Sequence, residues 1–422
     1  MRAAMSGGAR VISSDALFLG EGAVVERGAV AVDSSGAVLA AGPRSAVAVA
    51  YAGLPEERVR GVIVPGLVNA HTHVELSALR GRTTAGRGFV AWVDGMLAAR
   101  TEVDEAEEVE GIVRGVAELV ASGTVAVGEV TNTLAAVSTL RRANLAGYVF
   151  HEIFGLHEGT ALARLDAMGH HAAALAFSDE DALRWSPSPH TLHTTHPNVV
   201  TAIATKARAR RGRFSVHLAE HAGERAALER GTGPMVAWLE ARTQTPREAF
   251  RWHAAGPVAV ADTLGLLASD ALLVHLTDAR PEELELVARR GAHVVLCPRS
   301  NLFIETRLPP LLEMRRSGIA PALGTDSLAS CPTLDVLAEA KALHERFAEV
   351  PAHEFLAMAT INGARALDVH GALGSFEPGK TPGVLLLEGD IPAGLDPGVF
   401  ALRQPMRSRR MLVAPAHKKV VP

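Results

Sequence analysis

The sequence predicts an α/β protein in which a (β/α)8 TIM-type barrel is joined to a small β-sandwich domain built from both chain ends. Two observations predict this fold. Between residues 61 and 372, eight strand-like apolar runs alternate with helix-like segments. On either side, residues 1–60 and 373–422 contain short apolar pieces separated by glycines, which is typical of antiparallel strands.

The first barrel strand leads through VIVPGLVNAHTH to residue 73. The other predicted strands cover residues 123–130, 145–154, 184–190, 213–220, 271–278, 292–298 and 320–327. Helical periodicity predicts helices over residues 103–122, 135–143, 198–211, 225–240, 281–290 and 311–317. In such barrels the carboxyl ends of the strands face the active site, so functional side chains are expected there.

Composition excludes several classes of partner. The 422 residues carry a net charge of −4 and include no basic tract, so we expect no nucleic-acid partner. No apolar run is long enough to cross a membrane, and the N-terminus MRAAMSGGAR lacks the apolar core of a signal peptide. Only two cysteines occur, which suits a reducing compartment. We therefore expect a cytoplasmic protein with a small-molecule substrate, and we expect a homo-oligomer.

Four of the 18 histidines and one aspartate fall at predicted strand ends: His71, His73, His217, His275 and Asp326. In an extended strand alternate side chains point the same way, so the first two histidines aim at one point. Each histidine alone also fits a structural or solvated role. Together, imidazoles and a carboxylate suit zinc or a similar divalent ion, with a position left for water. None of the five lysines falls at a strand end to bridge two metals, so we predict one divalent ion. Zinc fits this ligand type, and iron also suits it.

Glu220 follows His217 by three residues, at the turn that leaves the predicted strand. A carboxylate beside an activated water is a natural proton shuttle. The alternative role is a glutamate at a helix N-terminus, stabilised by the helix dipole. The neighbouring histidines favour the shuttle.

The motifs PGLVNAHTH, SPSPH, HLAE, LLVH, CPRSN, LGTDS and GSFEPGK run along nearly the whole chain. In this order and spacing, the sequence resembles the amidohydrolase superfamily, in its nucleoside deaminase branch. The resemblance implies hydrolytic deamination, in which a metal-bound hydroxide attacks the ring and ammonia leaves. The metal ligands it implies are His71, His73, His217 and Asp326.

The resemblance also implies roles around the metal. Glu220 would protonate the ring nitrogen next to the attacked carbon, while His275 and Asp326 would orient and deprotonate the water. His190, in SPSPH, falls where relatives contact the substrate. Two histidines depart from the usual pattern: His193 stands where many relatives have tyrosine, and His221 stands where many have serine or threonine.

Within the branch the chain is most similar to the 6-aminodeoxyfutalosine deaminases of an alternative menaquinone route. The shared features are NAHTHVELS, a Phe89 to Trp92 segment followed by Arg100, and CPRSN. Methylthioadenosine/S-adenosylhomocysteine deaminases usually carry a ribose-binding glutamate about where Arg100 falls, and arginine cannot accept bonds from a ribose diol. Arg100 and Arg299 would instead grip a substrate carboxylate. The alternative for each arginine is a surface or barrel-rim salt bridge.

Three other functions remain open from the sequence. The same branch includes the methylthioadenosine/S-adenosylhomocysteine deaminases, and the same superfamily includes chlorohydrolases and amide hydrolases. A catalytically inactive relative is disfavoured, because the four implied ligands and Glu220 are all present.

Overall fold

The computed structural model describes residues 8–178, 181–243 and 254–416. The strands are β1 (Arg10–Ser13), β2 (Ala16–Leu17), β3 (Val25–Glu26), β4 (Gly28–Val32), β5 (Val38–Pro43), β6 (Glu56–Arg58), β7 (Gly61–Pro65), β8 (Leu67–Thr72), β9 (Thr124–Thr131), β10 (Ala146–Ile153), β11 (Leu183–Pro189), β12 (Phe214–Leu218), β13 (Ala271–His275), β14 (His293–Leu296), β15 (Ala322–Leu323), β16 (Val384–Glu388) and β17 (Arg409–Val413). The end of the predicted C-terminal β segment, residues 417–422, lies outside the described residues.

The helices in the same ranges are α1 (Arg44–Ala50), α2 (Phe89–Thr101), α3 (Glu105–Ser122), α4 (Val137–Arg142), α5 (Glu158–Ala174), α6 (Pro197–Ala209), α7 (Ala222–Arg230), α8 (Pro234–Thr243), α9 (Pro257–Thr263), α10 (Pro281–Arg290), α11 (Pro298–Glu305), α12 (Leu311–Arg316), α13 (Val336–Arg346), α14 (Ala352–Met358), α15 (Ile361–Ala366) and α16 (Pro397–Arg403). Among the helices of these ranges, none is both long and apolar enough to cross a membrane.

The two ends of the chain pair with each other in one sheet. β16 is antiparallel to both β7 and β17, and the five-stranded sheet is ordered β17-β16-β7-β2-β3. The four strands β5-β4-β1-β6 form a second sheet. Ile12 of the second sheet and Ile63 and Leu386 of the first lie in one buried cluster. Burial of these apolar side chains stabilises the association of the N-terminal and C-terminal segments.

The apolar run before the histidines is divided between two sheets. Residues Gly61–Pro65 pair with β16 and β2, so this strand belongs with the chain ends, and the histidine-bearing strand starts at Leu67. Gly66 makes the junction possible. A Cβ there would lie 2.4 Å from the Val125 side chain and 2.6 Å from the Pro382 carbonyl oxygen, which is too close for any other residue.

The middle of the chain forms two parallel four-stranded sheets, ordered β11-β10-β9-β8 and β12-β13-β14-β15. Helices connect successive strands, as parallel pairing requires. The strands are almost entirely buried, which explains their continuous apolar sequences. The predicted α/β class is confirmed.

The edges of the two parallel sheets meet. At one side, Thr72 after β8 and Asp326 after β15 form a parallel bridge, and the His73 N–H donates to the Asp326 carbonyl (3.1 Å). At the other side, the His217 N–H donates to the His190 carbonyl (3.0 Å). These contacts bring the carboxyl ends of β8, β11, β12 and β15 next to one another.

Three segments differ from the sequence-based prediction. The single helix predicted over residues 225–240 is two helices, α7 and α8, because Gly231 ends α7 with a φ of 59° and Pro234 starts the next helix. The strand predicted over 320–327 is limited to Ala322–Leu323. Residues 89–101, for which no helix was predicted, form the helix α2.

Candidate metal and active site

The strand ends bring the predicted ligands together. His71 lies on β8 and His73 directly follows it, while His217 lies on β12 and His275 ends β13. Asp326 lies three residues beyond β15. Asp326 and His275 have φ values of 55° and 78°, a region that residues with a side chain rarely adopt. Such strained backbone conformations are concentrated at active sites.

Three imidazoles and one carboxylate converge on a point. His73 Nε2 lies 3.3 Å from His217 Nε2, and Asp326 Oδ1 lies 3.6 Å from His73 Nε2 and 3.9 Å from His71 Nε2. His71 is fully buried, and neither of its ring nitrogens has a hydrogen-bond partner among the described residues. Unpartnered buried nitrogens are costly unless they bind something. These residues therefore fit a single divalent ion.

Neighbouring hydroxyl groups hold the aspartate in position. Ser300 Oγ and Ser330 Oγ both donate to Asp326 Oδ2, at 2.5 and 2.9 Å. The other oxygen, Oδ1, is the one that faces the histidines. This second layer of hydrogen bonds fixes the carboxylate for a metal or a water molecule.

Glu220 and His275 face each other beside this cluster. His275 Nε2 lies 3.6 Å from Glu220 Oε1, and the other ring nitrogen, Nδ1, contacts Asn301 Nδ2 at 3.2 Å. The alternative role for Glu220, a glutamate that stabilises the N-terminus of a helix, does not match the contacts at the start of α7. The residue that caps α7 is His221, whose ring accepts the Glu224 N–H.

Burial dominates the electrostatics of the site. It raises the pKa of Glu220 well above the ordinary value, and the nearby charge of Asp326 adds to the effect. A carboxyl group with a raised pKa can carry a proton at neutral pH. Burial lowers the pKa of His71 far below the ordinary value, so the ring is in the neutral form that binds metals. Burial alone would raise the pKa of Asp326, but His73 and His275 outweigh it and lower that pKa.

A cavity of about 500 Å³ opens above the ligand cluster. Its floor includes His73, His217, Glu220, His275 and Asp326. Its outer part is lined by apolar and aromatic side chains, which include Phe89, Trp92, Met96, Phe154, Met235 and Trp238. The cavity thus combines a polar reaction centre with an apolar outer chamber.

Helix α2 forms one wall of this outer chamber. The Phe89 ring stacks on the His221 ring at 4.1 Å, and the Trp238 indole of α8 donates to Asp94 of α2 at 2.7 Å. His193 also lines the cavity. The two histidines that depart from the family pattern therefore lie in or directly behind the cavity wall.

Of the predicted substrate-binding residues, His190, Glu220 and Arg100 line the cavity, and Arg299 does not. The Arg299 guanidinium donates to Thr333 Oγ1 (2.9 Å) and lies 3.6 Å from the fully buried Glu339 carboxylate. The Arg299 N–H donates to the same carboxylate. Arg299 directly follows Cys297 and Pro298 at the start of α11, and from there the side chain turns away from the cavity. The structure therefore gives Arg299 a salt-bridge role, which was the alternative to substrate binding.

The cavity residues that the sequence analysis missed include three with ionisable side chains: Glu152, Arg164 and Arg242. Glu152 lies at the end of β10, so the strand-end rule that found the histidines would also have found it. The arginines lie on α5 and α8, and no local pattern distinguishes them from other helix-surface arginines.

Glu152 is a buried acid with an incomplete set of contacts. Asn132 Nδ2 donates to Oε2 at 3.3 Å, but Oε1 has no hydrogen-bond partner among the described residues. Burial raises the pKa of Glu152 to about 8, and the charges of Asp326 and Glu75 add to this effect.

No lysine of the described ranges lies in the cavity. Lys206 and Lys341 form exposed ion pairs with Asp166 and Glu345. Lys380 is bonded to Ser375. Lys418 and Lys419 lie outside the described residues. The single-ion arrangement thus has no lysine bridge beside it.

Fold and site together define a metal-dependent hydrolase. The chain belongs to the amidohydrolase family, whose model matches residues 62–411. It is 30% identical over 336 residues to a 5-methylthioadenosine/S-adenosylhomocysteine deaminase of Moorella thermoacetica, which covers 78% of this chain and 73% of that protein. It is 28% identical over 343 residues to an aminodeoxyfutalosine deaminase of Deinococcus radiodurans, with 78% and 79% covered.

A solved structure has the same fold. The crystal structure of Helicobacter pylori aminofutalosine deaminase with methylthio-coformycin superposes with a TM-score of 0.83 at 21% identity, covering 95% of this chain and 100% of that one. The predicted family and the predicted class, a hydrolytic deaminase, are confirmed.

Proposed function

We propose that the protein is a metal-dependent deaminase of adenine-type nucleosides, with 6-aminodeoxyfutalosine as its substrate. The observation that carries this proposal is the buried Glu220 carboxyl beside His275 and the ligand cluster, on the floor of a cavity large enough for a nucleoside. Relatives named as deaminases of adenine nucleosides support it.

The same proposal extends to the architecture. We infer that the two parallel sheets are halves of one (β/α)8 barrel, because their edges meet on both sides. The barrel domain would then occupy residues 61–372, apart from β7, and the chain ends 1–60 and 373–422 would form the β-sandwich. The match to a structure of the same family along 95% of the chain supports this division.

The chemistry is replacement of an amino group by the oxygen of water. His71, His73, His217 and Asp326 would hold a divalent ion, which would supply the Lewis acidity that makes water a nucleophile near neutral pH; zinc suits this donor set. Iron also suits these ligands.

The protein's own groups move the protons. Glu220 donates one to the ring nitrogen beside the attacked carbon. Asp326 and His275 orient the water and accept its proton. As the C–O bond forms, the ring carbon becomes tetrahedral. Proton transfer to the amino group lets the C–N bond break, and ammonia leaves with its electron pair.

The outer chamber supports the choice of substrate within this class. Three arginines, Arg100, Arg164 and Arg242, line the cavity together with the aromatic rings of Trp92 and Trp238. Aminodeoxyfutalosine carries a carboxyphenyl group, which matches an aromatic chamber with cationic groups. Methylthioadenosine has no carboxylate to meet these arginines. The higher identity to the methylthioadenosine/S-adenosylhomocysteine deaminase keeps that activity as the second candidate.

A panel of substrates tests the proposal. Zinc-loaded protein is assayed for ammonia release from aminodeoxyfutalosine, methylthioadenosine, S-adenosylhomocysteine and adenosine. We expect aminodeoxyfutalosine to give the highest kcat/KM. A preference for methylthioadenosine would overturn the substrate and keep the reaction. Chloride release from a chlorotriazine without ammonia release from any nucleoside would favour the chlorohydrolase alternative.

The arginines give a sharper test. Charge-assisted hydrogen bonds contribute about 1.5–3 kcal/mol, so Arg242→Met is expected to raise KM for aminodeoxyfutalosine roughly 10- to 150-fold. The same variant should leave kcat/KM for adenosine within about threefold, because adenosine has no carboxylate to lose. An equal effect on both substrates would show that Arg242 supports the wall and does not recognise the carboxylate.

A further inference from the structure

Glu152 is the polar group of the cavity whose contacts the proposed reaction does not explain. Its side chain is 3% exposed, and it lines the cavity from the end of β10. Oε2 accepts a bond from Asn132, while the buried Oε1 has no hydrogen-bond partner among the described residues. A buried acceptor without a partner costs free energy, so its presence in a cavity wall points to a ligand that completes it.

The His217 imidazole faces Oε1 but is too far away to make a good hydrogen bond with it. His217 Nδ1 lies 3.5 Å from Oε1, but the same nitrogen lies 3.1 Å from the His190 carbonyl oxygen. The shorter contact is the better acceptor for the single Nδ1 proton. Glu152 is therefore not required to fix the orientation of His217, and Oε1 is left for another donor.

The position of Glu152 limits which part of a nucleoside can reach it. His217 presents Nε2 to His73 in the ligand cluster and Nδ1 to Glu152. Glu152 is thus separated from the reaction centre by the breadth of an imidazole ring. The adenine ring nitrogens are acceptors, and the only hydrogen donor of the base is the amino group at the attacked carbon. A donor that meets Oε1 away from that carbon must come from the sugar.

His190 lies beside Glu152 and complements it. One ring nitrogen of His190 contacts Thr194 Oγ1 at 2.7 Å, and the residue lines the cavity. One ligand atom each of Glu152, His190 and His217 lie within 4.8 Å of one another. A hydroxyl pair at this point would therefore meet an acceptor and a ring nitrogen together.

We propose that Glu152 is a substrate-specificity residue that accepts a hydrogen bond from the ribose hydroxyls of the nucleoside. The inference rests on the proposed deaminase function. Glu152, on β10, has oxygen atoms that can accept a hydrogen bond from a ribose hydroxyl. Arg100, in the segment after β8, has no acceptor atom and cannot take this role. A substrate without that hydroxyl leaves the buried Glu152 oxygen unpaired, which costs about 1–3 kcal/mol, or roughly 5- to 150-fold in kcat/KM.

The test compares substrates and variants in one cycle. Zinc-loaded wild type and Glu152→Ala are assayed with adenosine, 2′-deoxyadenosine and 3′-deoxyadenosine. We expect wild type to prefer adenosine over at least one deoxy substrate by roughly 5- to 150-fold, and the variant to reduce that ratio to less than about threefold. Lys206→Met is the control, since Lys206 forms an exposed ion pair on α6 and does not line the cavity, and it should retain the wild-type ratio. Glu152→Gln keeps the side-chain volume and should give an intermediate ratio, and it provides the same comparison if the alanine variant is unstable.

Zinc content per chain and stability separate this role from others. We expect both to be unchanged in Glu152→Ala. An unchanged substrate ratio in the variant would overturn the inference. Two ions in wild type and one in the variant would instead make Glu152, with His190 and His217, a ligand of a second ion. Loss of zinc with an equal loss of activity on all three substrates would make Glu152 a support for His217. If wild type released ammonia from no adenine nucleoside at all, the proposed function itself would fail, which is a different result.

Discussion

Replacing Arg299 with methionine is expected to destabilise the protein at high pH and to leave substrate binding unchanged. The Arg299 guanidinium lies 3.6 Å from the Glu339 carboxylate, which is fully buried. Removing one partner of a buried ion pair costs about 3–5 kcal/mol, because the other charge is left unpaired. The Arg299 side chain is 17% exposed, so in the variant water can enter its place and partly solvate the Glu339 carboxylate. We therefore expect a loss of about 2–3 kcal/mol when Glu339 is ionised.

The loss of folding stability in Arg299→Met should be larger at high pH than at low pH. Burial raises the pKa of Glu339 to about 8, and the positive charge of Arg299 opposes that rise. Without Arg299 the pKa of Glu339 should rise further. A carboxyl whose pKa is higher in the folded than in the unfolded protein loses stability as pH rises through that range. The variant should therefore differ from wild type by less than about 1 kcal/mol at pH 6, and this difference should grow by about 1.4 kcal/mol at pH 9, one pH unit above the wild-type pKa.

Urea unfolding followed by circular dichroism at pH 6 and pH 9 measures this difference. Arg242→Met, which removes an exposed arginine of the cavity wall, is the control and should change stability by less than about 0.5 kcal/mol. Adding Glu339→Gln to Arg299→Met should abolish the pH dependence. An equal loss at both pH values, or a tenfold rise in KM with no loss of stability, would refute the reasoning.

The remaining predictions concern the reaction centre. Glu220→Gln should keep the metal and lower kcat by roughly 10²- to 10⁴-fold, because an amide cannot carry the proton; a variant with normal metal content and more than about a tenth of the wild-type kcat would contradict this. Metal analysis should find one divalent ion per chain, and a chelator should abolish activity that zinc restores; two tightly held ions would disprove the single site. Gly324→Ala should weaken metal binding and stability by about 1–3 kcal/mol, because its Cβ would lie 2.6 Å from His71 Cβ and 2.7 Å from the His71 carbonyl oxygen. Gly371→Ala, where a Cβ meets nothing within 4 Å, is the control, and equal behaviour of the two variants would show that the close approach is unimportant.

Much of the fold and of the reaction centre could be predicted from local sequence. Most strands of the two parallel sheets agree with prediction within a few residues, because strands buried on both faces must be continuous apolar runs. The clustering of the strand-end histidines follows from the same logic. A side chain at the carboxyl end of a parallel strand has one direction available, so His71, His73, His217 and His275 meet wherever such strands lie side by side.

Glycines and prolines limited the accuracy of the boundaries. The strand before the histidines was predicted as continuous with their own. The apolar run of Val62 to Val64 is equally suited to either sheet, and its pairing with β16 depends on residues more than 300 positions away. Similarly, the short β15 is set by the close approach of Gly324 to His71, which no local pattern encodes.

The sequence by itself predicted the family and the residues that the fold brings together, which are the proposed metal ligands and Glu220, because these predictions depend on residue type and on spacing along one strand. The tertiary structure alone decided which charged groups line the cavity. Arg299 pairs with Glu339 on another helix, while Arg242 on α8 reaches the cavity. Glu152 keeps one oxygen without a hydrogen-bond partner among the described residues. The physical reason is that a long charged side chain at the end of a helix or strand pairs with whichever group the packing of the fold places within its reach. That partner is distant in sequence, so the choice between a salt bridge and a binding site is made only when the chain folds.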